Sequence, residues 1–295
     1  MAFETAYAAY AAQAALGECP LWSVREQALY WVDIEAPSLN RFDPALGANT
    51  VIPMDENIGC IGFRAGSGFV AGMRSGVWLL DGEGRKERLL ANPQPDTTIS
   101  RFNDGRVDPW GRFWAGTIHE PRDRTGAALY VIAPDGSWRA VGQPVRTSNG
   151  VAFSPDARLA YHSDTPAHVI YRYALDADGG VIGTETFAAF EHGTGRPDGA
   201  AVDVEGCYWT ALFEGGRVAR LSPEGAVLAE YPVPARCPTM CAFGGPDLRT
   251  LFVTSARHKR PAAELADWPG SGDIFAMRTE VAGRAEPEFA GQEGA

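Results

Sequence analysis

Short apolar stretches alternate with polar turns along most of the chain. Typical stretches are LYWVD from Leu29, RFWAG from Arg112 and CYWTAL from Cys207, and turns rich in Gly, Pro, Asp or Asn separate them from the next apolar run. Apolar runs of four to eight residues between such turns are typical of antiparallel β-strands. After the first 20 residues, no segment shows a convincing helical period with capping residues. The pattern therefore predicts an all-β fold.

These strands recur at a nearly constant spacing along the chain. One equivalent position in each unit falls, at intervals of 40 to 48 residues, at Trp31, Ala71, Trp114, Tyr161, Trp209 and Phe252. A period of this length fits one four-stranded blade of a β-propeller. We therefore predict a six-bladed β-propeller with four-stranded antiparallel blades, as a single domain over residues 1–295. A β-sandwich or barrel would also contain many short strands, but six near-equal repeats favour the propeller.

The Ala-rich segment AYAAYAAQAA from Ala6 departs from this pattern. Alanine favours helix. Closure of a propeller calls for a strand from one terminus to complete the last blade, and that tertiary context can override local preference. The sequence alone leaves helix and strand open for this segment.

Composition and charge narrow the classes of ligand. The 295 residues carry a net charge of −11, which argues against nucleic-acid and membrane partners and leaves a small molecule as the expected ligand. The N-terminus lacks the basic region of a signal peptide, and no apolar run is long enough to span a bilayer. Five cysteines without a C-x-x-C pair indicate reduced, mostly buried thiols. We therefore expect a cytoplasmic protein.

Six positions lie at a similar distance upstream of the six equivalent residues of the repeats. They lie 11 to 13 residues upstream of them and are Glu18, Cys60, Asn103, Asn149, Asp198 and Cys241. In a propeller, the innermost strand of each blade lines the central channel, so residues at one phase form a ring. Asn-Gly and Asp-Gly are also strong turn signals, which would explain each of these positions taken singly. Glu18, in LGECPLW, has no such dipeptide, and this favours a shared site.

The ring brings together side-chain oxygens that suit a metal ion. Two carboxylates converging in a channel would repel each other, and one would have to hold a proton unless a cation were bound between them. Four of the six positions, Glu18, Asn103, Asn149 and Asp198, carry side-chain oxygen, which hard or borderline cations such as Ca²⁺, Mg²⁺ and Mn²⁺ prefer. The sequence therefore predicts one divalent ion at this ring.

Five motifs, in order along nearly the whole chain, carry a resemblance to a known family. They are LGECPLW at 16–22, RFNDGRVDPWGRFWAGT at 101–117, SNGVAFSPD at 148–156, RPDGAAVDVEGCYWTAL at 196–212 and FGGPDLRTLFVTSA at 243–256. With them the chain resembles the SMP-30/gluconolactonase family of regucalcin-like sugar lactonases. The resemblance implies a six-bladed propeller with one divalent ion in the channel, whose identity among Ca²⁺, Mn²⁺, Zn²⁺, Mg²⁺ and Fe²⁺ stays open.

The resemblance also implies roles for individual residues. Its matching motifs imply metal ligands at Glu18, Asn149 and Asp198. They imply contacts to substrate hydroxyl groups from Arg101 and Asn103. The looser match after GTIH adds Glu120 as a further polar contact, and we add His119, on the same loop, as a candidate substrate contact. Members of the family usually have Gly where Cys19 stands, so we expect a slight shift of this loop.

The chemistry implied is hydrolysis of a sugar lactone to its aldonic acid. An ion with an open coordination site would stabilise the oxyanion that develops on the carbonyl. We take Asp198 as the base that activates water and Glu18 as the second candidate; because binding to a metal weakens a carboxylate as a base, a neighbouring base outside the ligand set or a hydroxide on the ion stays open. Two other functions remain open: hydrolysis of organophosphates by the same site, and a non-enzymatic binding scaffold with a structural ion. The particular lactone and the oligomeric state are not predicted.

Overall fold

Six four-stranded antiparallel sheets make up the molecule. The computed structural model describes residues 5–94 and 96–290. The first strands of neighbouring sheets contact one another around a central channel. The sheets are therefore the blades of a β-propeller, and the predicted fold is confirmed.

The strands follow one another from the channel to the rim in each blade. The first strand of the chain, β1 (Tyr7–Tyr10), belongs to blade 6. Blade 1 contains β2 (Gly17–Ser23), β3 (Ala28–Asp33), β4 (Ser38–Asp43) and β5 (Ala48–Pro53). Blade 2 contains β6 (Ile58–Phe63), β7 (Phe69–Met73), β8 (Gly76–Leu80) and β9 (Lys86–Ala91). Blade 3 contains β10 (Ser100–Val107), β11 (Phe113–His119), β12 (Ala127–Ile132) and β13 (Trp138–Val145).

The second half of the chain repeats this order. Blade 4 contains β14 (Ser148–Phe153), β15 (Leu159–Asp164), β16 (Val169–Leu175) and β17 (Val181–Ala189). Blade 5 contains β18 (Arg196–Val202), β19 (Tyr208–Phe213), β20 (Arg217–Leu221) and β21 (Val227–Pro232). Blade 6 contains β22 (Pro238–Gly244), β23 (Thr250–Ser255) and β24 (Ile274–Arg278). A 3₁₀ turn at Thr165–Ala167 and a short helix, α1 (Ala262–Asp267), lie between strands. The sequence pattern did not predict α1.

The Ala-rich N-terminal segment closes the ring of blades. In it, β1 pairs antiparallel with β24, and Tyr7 lies opposite Ala276. The first and last parts of the chain thus share blade 6. Pairing with an otherwise open strand edge satisfies the backbone groups of β1, and this outweighs the helical preference of alanine.

Two turns show why Asp recurs between the first and second strands of a blade. Asp108 accepts hydrogen bonds from the backbone N–H of Trp110 and Arg112 and from the indole N–H of Trp114, six residues further on. Asp203 makes the equivalent bond to the indole of Trp209, at 2.9 Å. Each carboxylate therefore fixes the turn and holds the aromatic side chain of the next strand in the core. These aspartates belong to the framework and lie outside the predicted ring.

The blades approach closely at the channel, where small residues are required. A Cβ atom added to Gly59 would lie 2.3 Å from the carbonyl oxygen of Phe102 in the next blade. The five cysteines are free and buried, as predicted. Among the described residues, the structure contains no helix with the length and apolar character that crossing a membrane requires.

Candidate active site

Irregular pairing in the inner strands turns four side chains toward the channel. The ladder register shifts after Glu18 in β2, around Asn103 in β10, after Asn149 in β14 and around Asp198 in β18. Such bulges re-aim a side chain that a regular strand would direct elsewhere. All four residues line one cavity of about 490 Å³. The structure therefore brings together the four oxygen-bearing residues of the predicted ring.

The other two positions of the predicted ring differ from the structure. In blade 6, Pro238 pairs with Ser255 and Cys241 pairs with Val253, so Thr239, in the irregular stretch between them, corresponds to Asp198. In blade 2 the irregularity lies at Gly59, ahead of Cys60. Neither cysteine lines the cavity. Each bulge adds one residue to its strand, but the reference residue lies ten residues after its partner in blades 2 and 6 and eight residues after it in blade 5. A fixed count from the reference residue therefore misplaces these two positions.

A chain of hydrogen bonds fixes the orientation of both amides. The Arg101 guanidinium donates to Oδ1 of Asn103 at 2.9 Å, and Nδ2 of Asn103 donates to Oδ1 of Asn149 at 2.6 Å. Nδ2 of Asn149 donates to the hydroxyl of Thr165 at 2.7 Å. That hydroxyl donates to the carbonyl oxygen of Pro197, so it can only accept from Asn149. The chain therefore turns Oδ1 of Asn149 away from Thr165 and toward Asn103.

Two carboxyl groups of the ring are buried with few hydrogen-bond partners. Glu18 is 6% exposed and Asp198 is 5% exposed. Glu18 accepts one long bond, from the backbone N–H of Cys19 at 3.3 Å, and Oδ1 of Asp198 has no partner among the described residues. Burial raises the pKa of Glu18 well above its usual range, and the neighbouring Asp198 and Asp104 charges raise it further. Burial and Asp104 likewise raise the pKa of Asp198.

Asp104 is a third buried acid beside this pair, and the sequence analysis did not single it out. It accepts hydrogen bonds from the backbone N–H groups of Gly105 and Val151, at 2.7 and 3.1 Å. Burial raises the pKa of Asp104 too. Because its oxygens are committed to β10 and β14, Asp104 fixes the two inner strands that carry Asn103 and Asn149.

The donor set fits a divalent cation. An unpartnered buried carboxylate oxygen normally costs free energy, and like charges beside it add to that cost. A divalent ion held by Glu18, Asn149 and Asp198 would satisfy the oxygen and balance both charges with the oxygen ligands that hard cations prefer. These three residues are therefore the ones that could hold a metal here.

Arg101 and Glu120 lie on the wall of the same cavity. The Arg101 side chain is buried, and burial lowers its pKa. Its guanidinium lies 3.7 Å from Glu120 and 3.8 Å from Glu35. Glu120 is also paired with Arg74 at 2.8 Å, and that bond holds its pKa below the usual value. Arg101 and Glu120 thus lie where the sequence analysis expects substrate contacts.

His119 is separated from this set. Its imidazole Nε2 lies 2.7 Å from a carboxylate oxygen of Asp123, and its side chain is absent from the cavity lining. The expectation of a direct substrate contact from His119 therefore does not fit the structure. The side chain instead ties down the loop between β11 and β12, which carries Glu120 and Arg122.

The cavity wall also contains residues that the sequence analysis missed. They follow the second strand of a blade, in the loop before the third, and are Glu35, Arg122, Thr165, Glu214, His258, Lys259 and Arg260. A polar residue shortly after each aromatic strand is the signal that would have found them. The loops between second and third strands thus form the walls above the ring.

A second cluster of acidic and thiol groups lies in the turn between β18 and β19 of blade 5. Asp203, Glu205 and Cys207 place their ligand atoms within 4.8 Å of one another. Arg220 pairs with Asp203 at 2.8 Å and with Glu205 at 2.6 Å. A guanidinium already balances these carboxylates, so the cluster is an ion-pair network of the framework.

The sequence matches a family model along most of its length. The model describes an SMP-30/gluconolactonase/LRE-like region and matches residues 16–257. The chain belongs to the SMP-30/gluconolactonase/LRE-like family. The matched span includes every residue of the ring.

Members of this family resemble the chain along its full length. A 6-deoxy-6-sulfogluconolactonase from Pseudomonas putida is 56% identical over 94% of this chain and 95% of its own. A pentonolactonase from Haloferax volcanii is 35% identical over 93% of this chain and 94% of its own. The solved structure of a calcium-binding regucalcin from Agrobacterium tumefaciens superposes with a TM-score of 0.91 at 30% identity, over 98% of this chain and 97% of that chain. The prediction of a lactonase is confirmed by these relatives.

Cys19 is where the chain departs from the pattern expected of the family. Its backbone φ is 46°, in the left-handed region that favours glycine. The thiol is buried, and its sulfur lies 3.2 Å from the backbone nitrogen of Ile61 in blade 2. The fold thus accommodates Cys19 by packing its side chain between two inner strands, directly beside Glu18.

Proposed function

We propose that this protein hydrolyses a sugar lactone to the aldonic acid at the cavity above the ring. The proposal depends on one observation above all. Two buried carboxyl groups, Glu18 and Asp198, share a cavity with the amide of Asn149, and one oxygen of Asp198 has no partner among the described residues. This arrangement is costly for a framework and suited to binding a divalent ion.

Lactone hydrolysis requires a site that activates a water molecule and stabilises the negative charge that develops on the ester carbonyl oxygen. A divalent ion held by Glu18, Asn149 and Asp198 would supply a Lewis acid for that carbonyl. The oxygen of the attacking water bonds to the carbonyl carbon, and a carboxylate accepts the proton that the water loses. The ring C–O bond then breaks, and the departing ring oxygen takes this proton from the carboxyl group to become a hydroxyl group. We assign the base to Asp198 first and to Glu18 second.

The side chains of blade 3 would orient the sugar. Arg101 is buried and held by Asn103, so its guanidinium is fixed before substrate arrives. Two carboxylates on the wall, Glu35 and Glu120, can accept hydrogen bonds from sugar hydroxyl groups. Fixed donors and acceptors of this kind lower the entropy cost of reaching the reactive geometry.

A pH-stat assay tests the proposal. Purified protein is stripped with a chelator and assayed with five- and six-membered aldonolactones, with and without added Ca²⁺, Mg²⁺, Mn²⁺ or Zn²⁺. We expect acid release above the spontaneous rate that depends on added metal and is lost in Asp198→Asn. Glu205→Gln, in the ion-pair network of the turn between β18 and β19, is the matched control and should retain activity. A fluorophosphate arm addresses the other hydrolytic chemistry, and faster turnover of that substrate than of every lactone would contradict the proposal.

The similar proteins suggest which metal ion and which lactone to test first. The solved regucalcin is a calcium-binding protein, so Ca²⁺ is the first ion to test. The Pseudomonas putida relative is a 6-deoxy-6-sulfogluconolactonase, so the sulfonated gluconolactone joins the panel beside the neutral one.

A further inference from the structure

The cavity wall has as many acidic as basic side chains, but not all of them form ion pairs. Five are acidic and five are basic: Glu18, Glu35, Glu120, Asp198 and Glu214, and Arg101, Arg122, Arg196, Lys259 and Arg260. A divalent ion at the ring would balance Glu18 and Asp198. Three acids would then face five bases, and the cavity would carry an excess of two positive charges.

The ion pairs show which basic groups make up the excess. Glu214 pairs with Arg196 at 2.9 Å and with Arg260 at 2.7 Å. The buried Arg101 lies between Glu35 and Glu120. Within the described part of the chain, the side chains of Arg122 and Lys259 have neither a hydrogen bond nor a carboxylate within 4.0 Å.

Both unpaired cations act on the interior of the cavity. Arg122 and Lys259 both line the cavity that contains Glu18, Asp198 and Glu120, and the charge of Lys259 contributes to the lowered pKa of Glu120. Their backbone φ angles are 55° and 56°, in the left-handed region that non-glycine residues rarely adopt. The loop that carries Arg122 is further held by the bond between His119 and Asp123. The two cations thus sit on shaped loops beside the ring.

We propose that Arg122 and Lys259 bind an anionic group on the substrate, a sulfonate or a phosphate carried by the lactone on a carbon away from the carbonyl. The proposal rests on the proposed lactone hydrolysis and names the class of lactone. Oxyanions of this kind offer three acceptor oxygens, which match the donors of a guanidinium and an ammonium group. Both cations would gain a partner that the protein itself does not supply.

Exposed arginine and lysine side chains are often simply solvated, so the test compares two arginines of one loop. The wild type is assayed with Ca²⁺ on gluconolactone, 6-deoxy-6-sulfogluconolactone and 6-phosphogluconolactone. The ratio of kcat/KM for each anionic lactone to that for gluconolactone is then measured in Arg122→Gln, Lys259→Gln and the double variant. Arg124→Gln removes a charge from the same loop at a residue that does not line the cavity.

We expect the wild type to prefer an anionic lactone to gluconolactone. Whichever anionic lactone is hydrolysed with the higher kcat/KM shows whether the site takes a sulfonate or a phosphate. Each substitution should lower the ratio by roughly tenfold or more, chiefly through KM, because charge-assisted hydrogen bonds are lost. Added salt should lower the wild-type ratio as well, and Arg124→Gln should retain it. Equal or better use of gluconolactone, with ratios unchanged in the variants, overturns the anion site and leaves the proposed function standing. Absence of hydrolysis of all three lactones overturns both.

Discussion

His162 couples the stability of the propeller to pH. It is fully buried in β15, where its Nε2 lies 2.7 Å from the hydroxyl of Ser148 and its Nδ1 lies 3.0 Å from the hydroxyl of Tyr173. Burial lowers the pKa of this imidazole to about 3 from the 6.5 of an exposed histidine. The folded protein therefore keeps His162 neutral at a pH where the unfolded chain is protonated.

The sign and size of the effect follow from proton linkage. Between pH 6.5 and pH 3 the unfolded chain binds one more proton at this residue than the folded protein does. The free energy of unfolding therefore falls on acidification, by about 1.4 kcal/mol per pH unit, once the pH is below 6.5. At pH 5 the loss is about 2 kcal/mol. Above pH 7 the contribution of His162 is constant.

Urea unfolding followed by tryptophan fluorescence measures this contribution. The free energy of unfolding is determined at half-unit steps from pH 5 to pH 7.5, in chelator, for the wild type and for His162→Gln. We expect the variant to be less stable at pH 7.5, because one hydrogen bond is lost, and the gap to narrow by about 2 kcal/mol at pH 5. Taking the difference cancels the titration of the carboxyl groups that both proteins share. The exposed His192→Gln serves as control, and curves for wild type and His162→Gln that stay parallel over the whole range would refute the reasoning.

Three further predictions test the ring and the close approach of the blades. Asp198→Asn should lower lactone hydrolysis by about 100-fold or more, the size expected when one element of electrostatic stabilisation is lost; unchanged hydrolysis with a lower Tm would support a scaffold. Divalent cations should raise the Tm of the wild type in a thermal-shift assay but not that of Glu18→Gln, and an equal rise in both would contradict the proposed ligand set. Gly59→Ala should cost about 2 kcal/mol or more of unfolding free energy, because its Cβ would lie 2.3 Å from the Phe102 carbonyl oxygen; Gly82→Ala, whose Cβ would meet only a hydroxyl at 3.5 Å, is the control, and equal denaturant midpoints would contradict this account.

The propeller could be predicted because the residues that repeat along the chain have the same structural role in each blade. Trp114 and Trp209 are fully buried, and each is held by an aspartate six residues earlier, so the spacing of these pairs marks the blades. The N-terminal strand could not be decided from local preference. The partner of Tyr7 is Ala276, at the far end of the chain, and only the closed ring supplies that partner.

The ring was predicted less completely than the fold. Counting from the aromatic residues located Glu18, Asn149 and Asp198 on one cavity, because blades of equal design place equal positions at one height. The same count placed Cys241 where the structure has Thr239, since Phe252 lies ten residues after its partner Ala242, whereas Trp209 lies eight residues after its partner Ala201. The number of residue pairs that follow a bulge depends on the pairing of both strands of the hairpin, and no single strand encodes it.

The walls of the cavity lie beyond what the repeat can predict. Arg122 and Lys259 are on loops of unequal length, 120–126 and 256–273, that share no phase with the strands. Their proposed role depends on which charged side chains share the cavity, and only the folded structure shows that. The framework holds Glu18 and Asp198 in a costly pair, which a divalent ion would relieve. In the proposed anion site, the positive charge of the wall that remains once that pair is balanced would distinguish one lactone from another. The inner strands would then determine the chemistry common to the family, and the loops the choice of substrate.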